Sequence, residues 1–174
     1  MLSEERLHDD ITSGKFDLYG QIIDLSDKTL GDYKITSSYK LMRALGYYKV
    51  DVHTGETYKT GLKKGQVKTR KEWRTDGVRY LLDWAVQINY YRMLLEGKGF
   101  KVNRMEIQVM CRDYSLRIAA ERNIRKPVYV IHINKISDHW IKIYMNEKAK
   151  VLKEALKKGV LPKVCTAKER WKNR

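Results

Sequence analysis

Asp24, Asp32 and Lys34 follow one another as D-x7-D-x-K within "IIDLSDKTLGDYKITS", residues 22–37. Two carboxylates and an ammonium at that spacing suit phosphate chemistry assisted by a divalent cation. Magnesium takes hard oxygen ligands in octahedral geometry, commonly one or two carboxylates with water or phosphate at the other positions. A lysine beside them can orient a nucleophilic water or hold charge that develops on a phosphate. Ordinary charges on a solvated hairpin face are the competing reading of the bare pattern.

Placing those groups together requires a hairpin. Strand residues alternate faces, so Asp32 and Lys34 share one face while Tyr33 and Ile35 share the other. A three-residue turn over Asp27, Lys28 and Thr29 would centre on Lys28 and set residues whose numbers sum to 56 opposite each other, Asp24 against Asp32. Cross-strand Cβ atoms are about 4.5–5.5 Å apart, and like charges so placed destabilise the pair unless something neutralises them. A divalent cation would do so.

The flanking pattern predicts the hairpin strands over 16–25 and 29–35 and a short helix over 36–46. A second hairpin is expected around the "HTGE" turn at 53–56, followed by a basic loop over 59–74. That loop holds seven Lys or Arg, among them Lys63, Lys64, Lys68 and Arg70, against the single acid Glu72. Such a run is either solvated or a phosphate-contacting arm. A largely buried helix is predicted from Asp76 to Glu96, strands over 102–110 and 127–133 with a short helix between them, and an amphipathic helix ending at Gly159. Residues 163–174 form a basic tail. The order implies one mixed α/β domain with helices covering a central sheet.

Composition narrows the function classes. The 174 residues carry 36 Lys and Arg against 21 Asp and Glu, a net charge of +15, which favours a polyanionic partner. No apolar run reaches the length of a membrane span, and the N-terminus lacks an apolar signal region, so a cytoplasmic protein without membrane contact is expected. Cys111 and Cys165 are too few for a disulfide framework, and neither belongs to a C-x-x-C pair of the kind an internal zinc site uses.

The stretch "GQIIDLSDKTLGDYK" resembles the core of the PD-(D/E)XK nuclease superfamily, with "IID" and "DYK" as its two acidic motifs. Gln87 and Tyr91, in "QINYY", resemble the additional Q-x3-Y motif of the RecB-like exonuclease branch, to which nucleases of CRISPR adaptation are similar. The resemblance covers residues 20–91 and implies a restriction-endonuclease-like mixed sheet flanked by helices. It implies a metal-dependent, exonuclease-type DNA nuclease using Mg2+ or Mn2+, held by Asp24, Asp32 and the backbone carbonyl of Tyr33. Lys34 becomes the catalytic lysine, with Gln87 and Tyr91 supporting the active site near DNA. Partners would be DNA, gripped without reading its sequence, and proteins of a recombination, repair or phage system.

Two departures from the family pattern stand out. The upstream His or Glu of the family has only Glu5 and His8 as weak counterparts, and the cysteine cluster that holds an iron–sulfur centre in many branch members has no counterpart beyond Cys165. No iron–sulfur cluster is therefore expected, and the chain would be a minimal form or a fragment of a longer nuclease. A catalytically inactive nucleic-acid-binding module of the same fold is the alternative. A basic protein-interaction domain is the third reading.

Overall fold

The computed structural model describes residues 2–8, 13–20, 28–79 and 81–160. Its core is a mixed five-stranded sheet in the order β1 (Leu2–Ser3), β4 (Leu18–Gly20), β5 (Thr29–Thr36), β8 (Arg104–Cys111) and β9 (Val128–His132). β5 and β8 run parallel, and the other neighbours are antiparallel. β2 (Arg6–His8) and β3 (Ser13–Lys15) form a small hairpin of their own.

Alternation decides which face of the sheet is covered. Leu30 and Asp32 on β5, and Met105, Ile107 and Val109 on β8, are buried. This side faces α2 (Leu82–Gly97), whose Trp84, Ile88, Tyr91 and Leu95 belong to the same core. The opposite face leaves Tyr33, Ile35, Met110, Val128 and Val130 exposed, although parallel strand pairs are commonly covered on both sides. Ile107 pairs with Asp32 and is wholly buried, so it forms the floor beside that carboxylate. Ile107→Ala is expected to lower the unfolding free energy by about 2–5 kcal/mol, read from urea denaturation; a loss well under 1 kcal/mol would contradict this packing.

The C-terminal end of β5 is clamped by the next helix, α1 (Ser38–Ala44). Ser38 donates to Asp113 from its backbone N–H at 2.6 Å and from its hydroxyl at 2.8 Å. Asp113 lies just before α3 (Leu116–Arg122), and Arg122 also donates to the Ser38 hydroxyl. Those hydrogen bonds hold the Asp113 carboxyl below its usual pKa even though burial pushes it upward. The start of α1, the end of β5 and the β8–α3 turn are thus held as one unit.

α4 (Asp138–Lys158) docks on α2 through the buried Ile141. Arg92 of α2, 1% exposed, reaches Glu96 at 2.5 Å and also pairs with Asp138. The expected amphipathic character of α4 is present, yet Leu152 and Leu156 remain exposed. Among the described residues no helix is long and apolar enough to cross a membrane.

Three sequence expectations need correction. "HTGE" is not a turn. It falls inside β6 (Tyr47–Thr57), where only a register irregularity between His53 and Thr57 interrupts pairing with β7 (Val67–Thr75). The chain reverses at 58–66, where Gly61 and Gly65 supply positive φ of 82° and 84°. Consequently the second half of the expected basic loop, from Val67 onward, is strand. Finally, α2 begins at Leu82 rather than Asp76, because the segment before it is used to tie down α1. Asp76 and Arg79 donate backbone N–H groups to the Gly46 and Ala44 carbonyls at 3.3 and 3.0 Å. A Cβ on Gly46 would lie 2.1 Å from the Gly77 carbonyl oxygen, so that approach requires glycine. The basic tail at 163–174 lies outside the described residues.

Candidate active site

β5 presents Asp32 and Lys34 on the α2 side of the sheet. The Asp32 side chain is 5% exposed and that of Lys34 22%, and the Lys34 ammonium lies 2.6 Å from the Asp32 carboxylate. The same ammonium donates to Gln87 Oε1 at 3.0 Å. Gln87 in turn donates from Nε2 to the Tyr91 hydroxyl at 2.8 Å. One turn of helix separates Gln87 from Tyr91, so α2 presents both on one face. A continuous hydrogen-bonded line therefore runs from the acid on the strand through the lysine to the helix. The sequence-predicted Asp32, Lys34, Gln87 and Tyr91 are brought together in it.

The position facing Asp32 is not the one the expected register selects. β4 pairs with β5 as Leu18↔Gly31, Tyr19↔Leu30 and Gly20↔Thr29, so facing residues sum to 49 rather than 56. Continued by one residue, that register sets Asp17 opposite Asp32. The Asp17 carboxylate accepts the Tyr33 backbone N–H at 2.7 Å. Its proximity to Asp32 disfavours ionisation of that carboxyl. Asp24 lies among residues 21–27, outside the described residues.

The environment of Asp32 disfavours its ionised form. Burial raises its pKa above the usual carboxylate value, the Lys34 ammonium works against that shift, and the neighbouring Asp17 adds to it. Two acids pressed together, one reluctant to ionise, form a pair that a divalent cation would relieve. Asp17 and Asp32 thus fit the oxygen-rich, incomplete ligand set that magnesium favours, with other positions left for solvent and phosphate. Tyr33 contributes backbone at this point, while its side chain is 53% exposed on the far face.

Among the described residues no third acid or histidine completes the set, and no group of three or more His, Cys, Asp and Glu is placed to hold a metal. Glu5 and His8 are both exposed, His8 on β2 opposite Ser13. The small β2–β3 hairpin instead reaches the site through Gly14. A Cβ there would fall 2.2 Å from the Tyr91 ring, so the missing side chain leaves the space the ring occupies.

Lys63, Lys64, Lys68 and Arg70 lie apart from this line, on the β6–β7 hairpin. Lys68 pairs with Glu56 at 2.9 Å and Arg70 with Glu72 at 2.6 Å. Cys111 is buried, its thiol 3.6 Å from Asp113, and Cys165 lies outside the described residues. Compared with family models, curated proteins and solved structures, the chain matches none of them.

Proposed function

We propose that the protein is a metal-dependent DNA nuclease with a restriction-endonuclease-like sheet, and that its acid pair is Asp17 and Asp32. The observation that carries this reading is the juxtaposition of Asp17, Asp32 and Lys34 on paired strands, with Lys34 tied to Gln87 on the covering helix. Magnesium or manganese held by those carboxylates would supply electrophilic stabilisation of the scissile phosphate and a more acidic water.

The remaining groups have definable tasks. Lys34 keeps an ammonium at the rim of the site, where it can hold a water by hydrogen bond and offset negative charge on the phosphate. Gln87 accepts from that ammonium and fixes its direction, and Tyr91 fixes the Gln87 amide. Half-buried Asp17, Lys34 and Gln87 leave an approach from solvent for an extended phosphodiester. The net charge of +15 favours binding through the backbone without base reading.

The test is incubation of the purified chain with linear and circular DNA, with Mg2+, Mn2+ or chelator, beside Lys34→Met. Cleavage that requires the cation and falls by about 10²–10³ in Lys34→Met is the expected result. Equal degradation by wild type and variant would refute the assignment. DNA binding with no cleavage under any cation would favour the inactive binding module.

Gly14 and Tyr91 offer a separate check on the supporting groups. Gly14→Ala must displace the Tyr91 ring, and Tyr91→Phe removes the hydroxyl that orients Gln87. Each is expected to slow cleavage by about 10- to 100-fold with DNA affinity kept, as for groups that orient a ligand's partner. Wild-type turnover in Gly14→Ala would show that the ring position is immaterial.

A further inference from the structure

The β6–β7 hairpin is the largest feature that the acid and lysine site does not use. Its strands have 11 and 9 residues, and not one of them is buried. At about 3.3 Å per residue the longer strand extends roughly 36 Å. A lone two-stranded ribbon is marginal in water, so its length calls for a contact that the body does not supply.

Its chemistry indicates what that contact is. Residues 47–75 hold eight Lys or Arg against three acids. Toward the tip, Lys59, Lys63 and Lys64 are exposed, and Lys63 and Lys68 lie over the half-buried Tyr58 ring at 6.0 and 5.9 Å. Nearer the base, Trp73 is covered by Lys49 at 4.7 Å and by the edge of Tyr47. Tyr48 at the base of the ribbon is the exposed ring, while the Tyr58 and Trp73 faces are thus occupied by the ribbon's own cations. That is the opposite of a single-strand platform, which offers open rings for bases to stack on.

We infer that the β6–β7 ribbon lies in the major groove of double-stranded DNA, so that duplex is the substrate class of the nuclease proposed above, on which this assignment rests. The major groove of B-form DNA, about 12 Å wide, admits a two-stranded β-ribbon. The major groove of A-form RNA is too narrow and deep to admit side chains. The ribbon is inserted between α1, which follows the Asp32 strand directly, and α2, which carries Gln87. Duplex held along it is therefore anchored through both elements that frame the site.

The experiment uses the full chain with Asp32→Asn, so that DNA stays intact, and follows binding to a short blunt duplex and to a single strand of equal length over a salt series. Two variants are compared. One is Lys59→Ser with Lys63→Ser and Lys64→Ser. The other replaces residues 54–68 by an Asn-Gly turn between the paired His53 and Thr69, which keeps the base of the ribbon. The triple variant is expected to lower the slope of log affinity against log salt on duplex by about 2 to 3. The shortened ribbon should lower it at least as much, and single-strand binding should change little in either.

Unchanged duplex binding in both variants would overturn the inference, as would equal losses on single strands or tighter binding to duplex RNA. Ribbon-dependent duplex binding in a chain that cleaves nothing would keep the groove contact and reject only the nuclease. Asp32-dependent cleavage with indifferent ribbon variants would do the reverse.

Discussion

Asp17→Asn and Asp32→Asn should each reduce DNA cleavage by at least about 10³-fold while leaving DNA affinity within a fewfold of wild type, and Asp24→Asn should retain most of the activity. Removing one group preorganised for developing charge costs about 10²–10³ in turnover. Loss of a carboxylate from a pair that would share one cation removes the activation of water as well. The contrast with Asp24 follows from register. Asp32 has one position opposite it on β4, and the pairs Leu18↔Gly31 and Tyr19↔Leu30 assign that position to residue 17. The Tyr33 N–H bonded to Asp17 fixes this carboxylate next to the strand that carries Asp32. Single-turnover cleavage of a labelled DNA by the three variants, with binding measured in chelator, distinguishes the assignments. An inactive Asp24→Asn beside an active Asp17→Asn would transfer the site back to Asp24.

Most of the framework was legible, because it depends on local pattern. The run TLGDYKIT alternates as a strand covered on one face should, and β5 spans Thr29–Thr36. The Gln87–Tyr91 spacing could be read as one helix face, and the two side chains are hydrogen bonded there. β8, α3, β9 and α4 also fall close to their predicted places. Cross-strand register was not legible, since it depends on where the hairpin closes. Ile22, Ile23 and Leu25 look like strand residues, which drew the turn to Asp27–Thr29, whereas the described pairing ends at Gly20↔Thr29.

A signal for Asp17 did exist in "GKFDLYG". There an acid sits between Phe16 and Tyr19, two residues that the core buries. The β6–β7 ribbon was expected as a hairpin but with its turn and extent misplaced, for a different reason. With no residue buried on either strand it has no apolar period to read, and the glycine in "HTGE" mimicked a turn. Gly14 was illegible because its role is the absence of a side chain beneath a ring more than seventy residues away in sequence.

Without divalent cation, Asp32→Asn should be more stable than wild type at neutral pH, and its advantage should vanish on acidification. Burial and the adjacent Asp17 raise the folded pKa of Asp32 above the unfolded value of about 3.9. Between those two pKa values the folded chain binds more protons than the unfolded one. The contribution of this carboxyl to stability is therefore fully present below the unfolded pKa and is lost as pH rises through the folded pKa. At neutral pH the group is a cost that Asn removes, with Lys34 left to solvent and Gln87. Mg2+ should reverse the order, because it would bind the carboxylates in the ionised form that is disfavoured without it. At a hundredfold excess over its dissociation constant it should add about 2.7 kcal/mol to wild type, a rise of about 5–10 °C in Tm for a chain of this size. Asp32→Asn should show little of that rise. Below the folded pKa of Asp32 the proton competes with the cation, so apparent affinity should fall about tenfold per pH unit. Thermal scans of both proteins with and without Mg2+, from acid to neutral pH, decide the matter. A destabilised Asp32→Asn at neutral pH, or equal Mg2+ shifts in both, would mean that Lys34 neutralises Asp32 fully and that no cation is needed there.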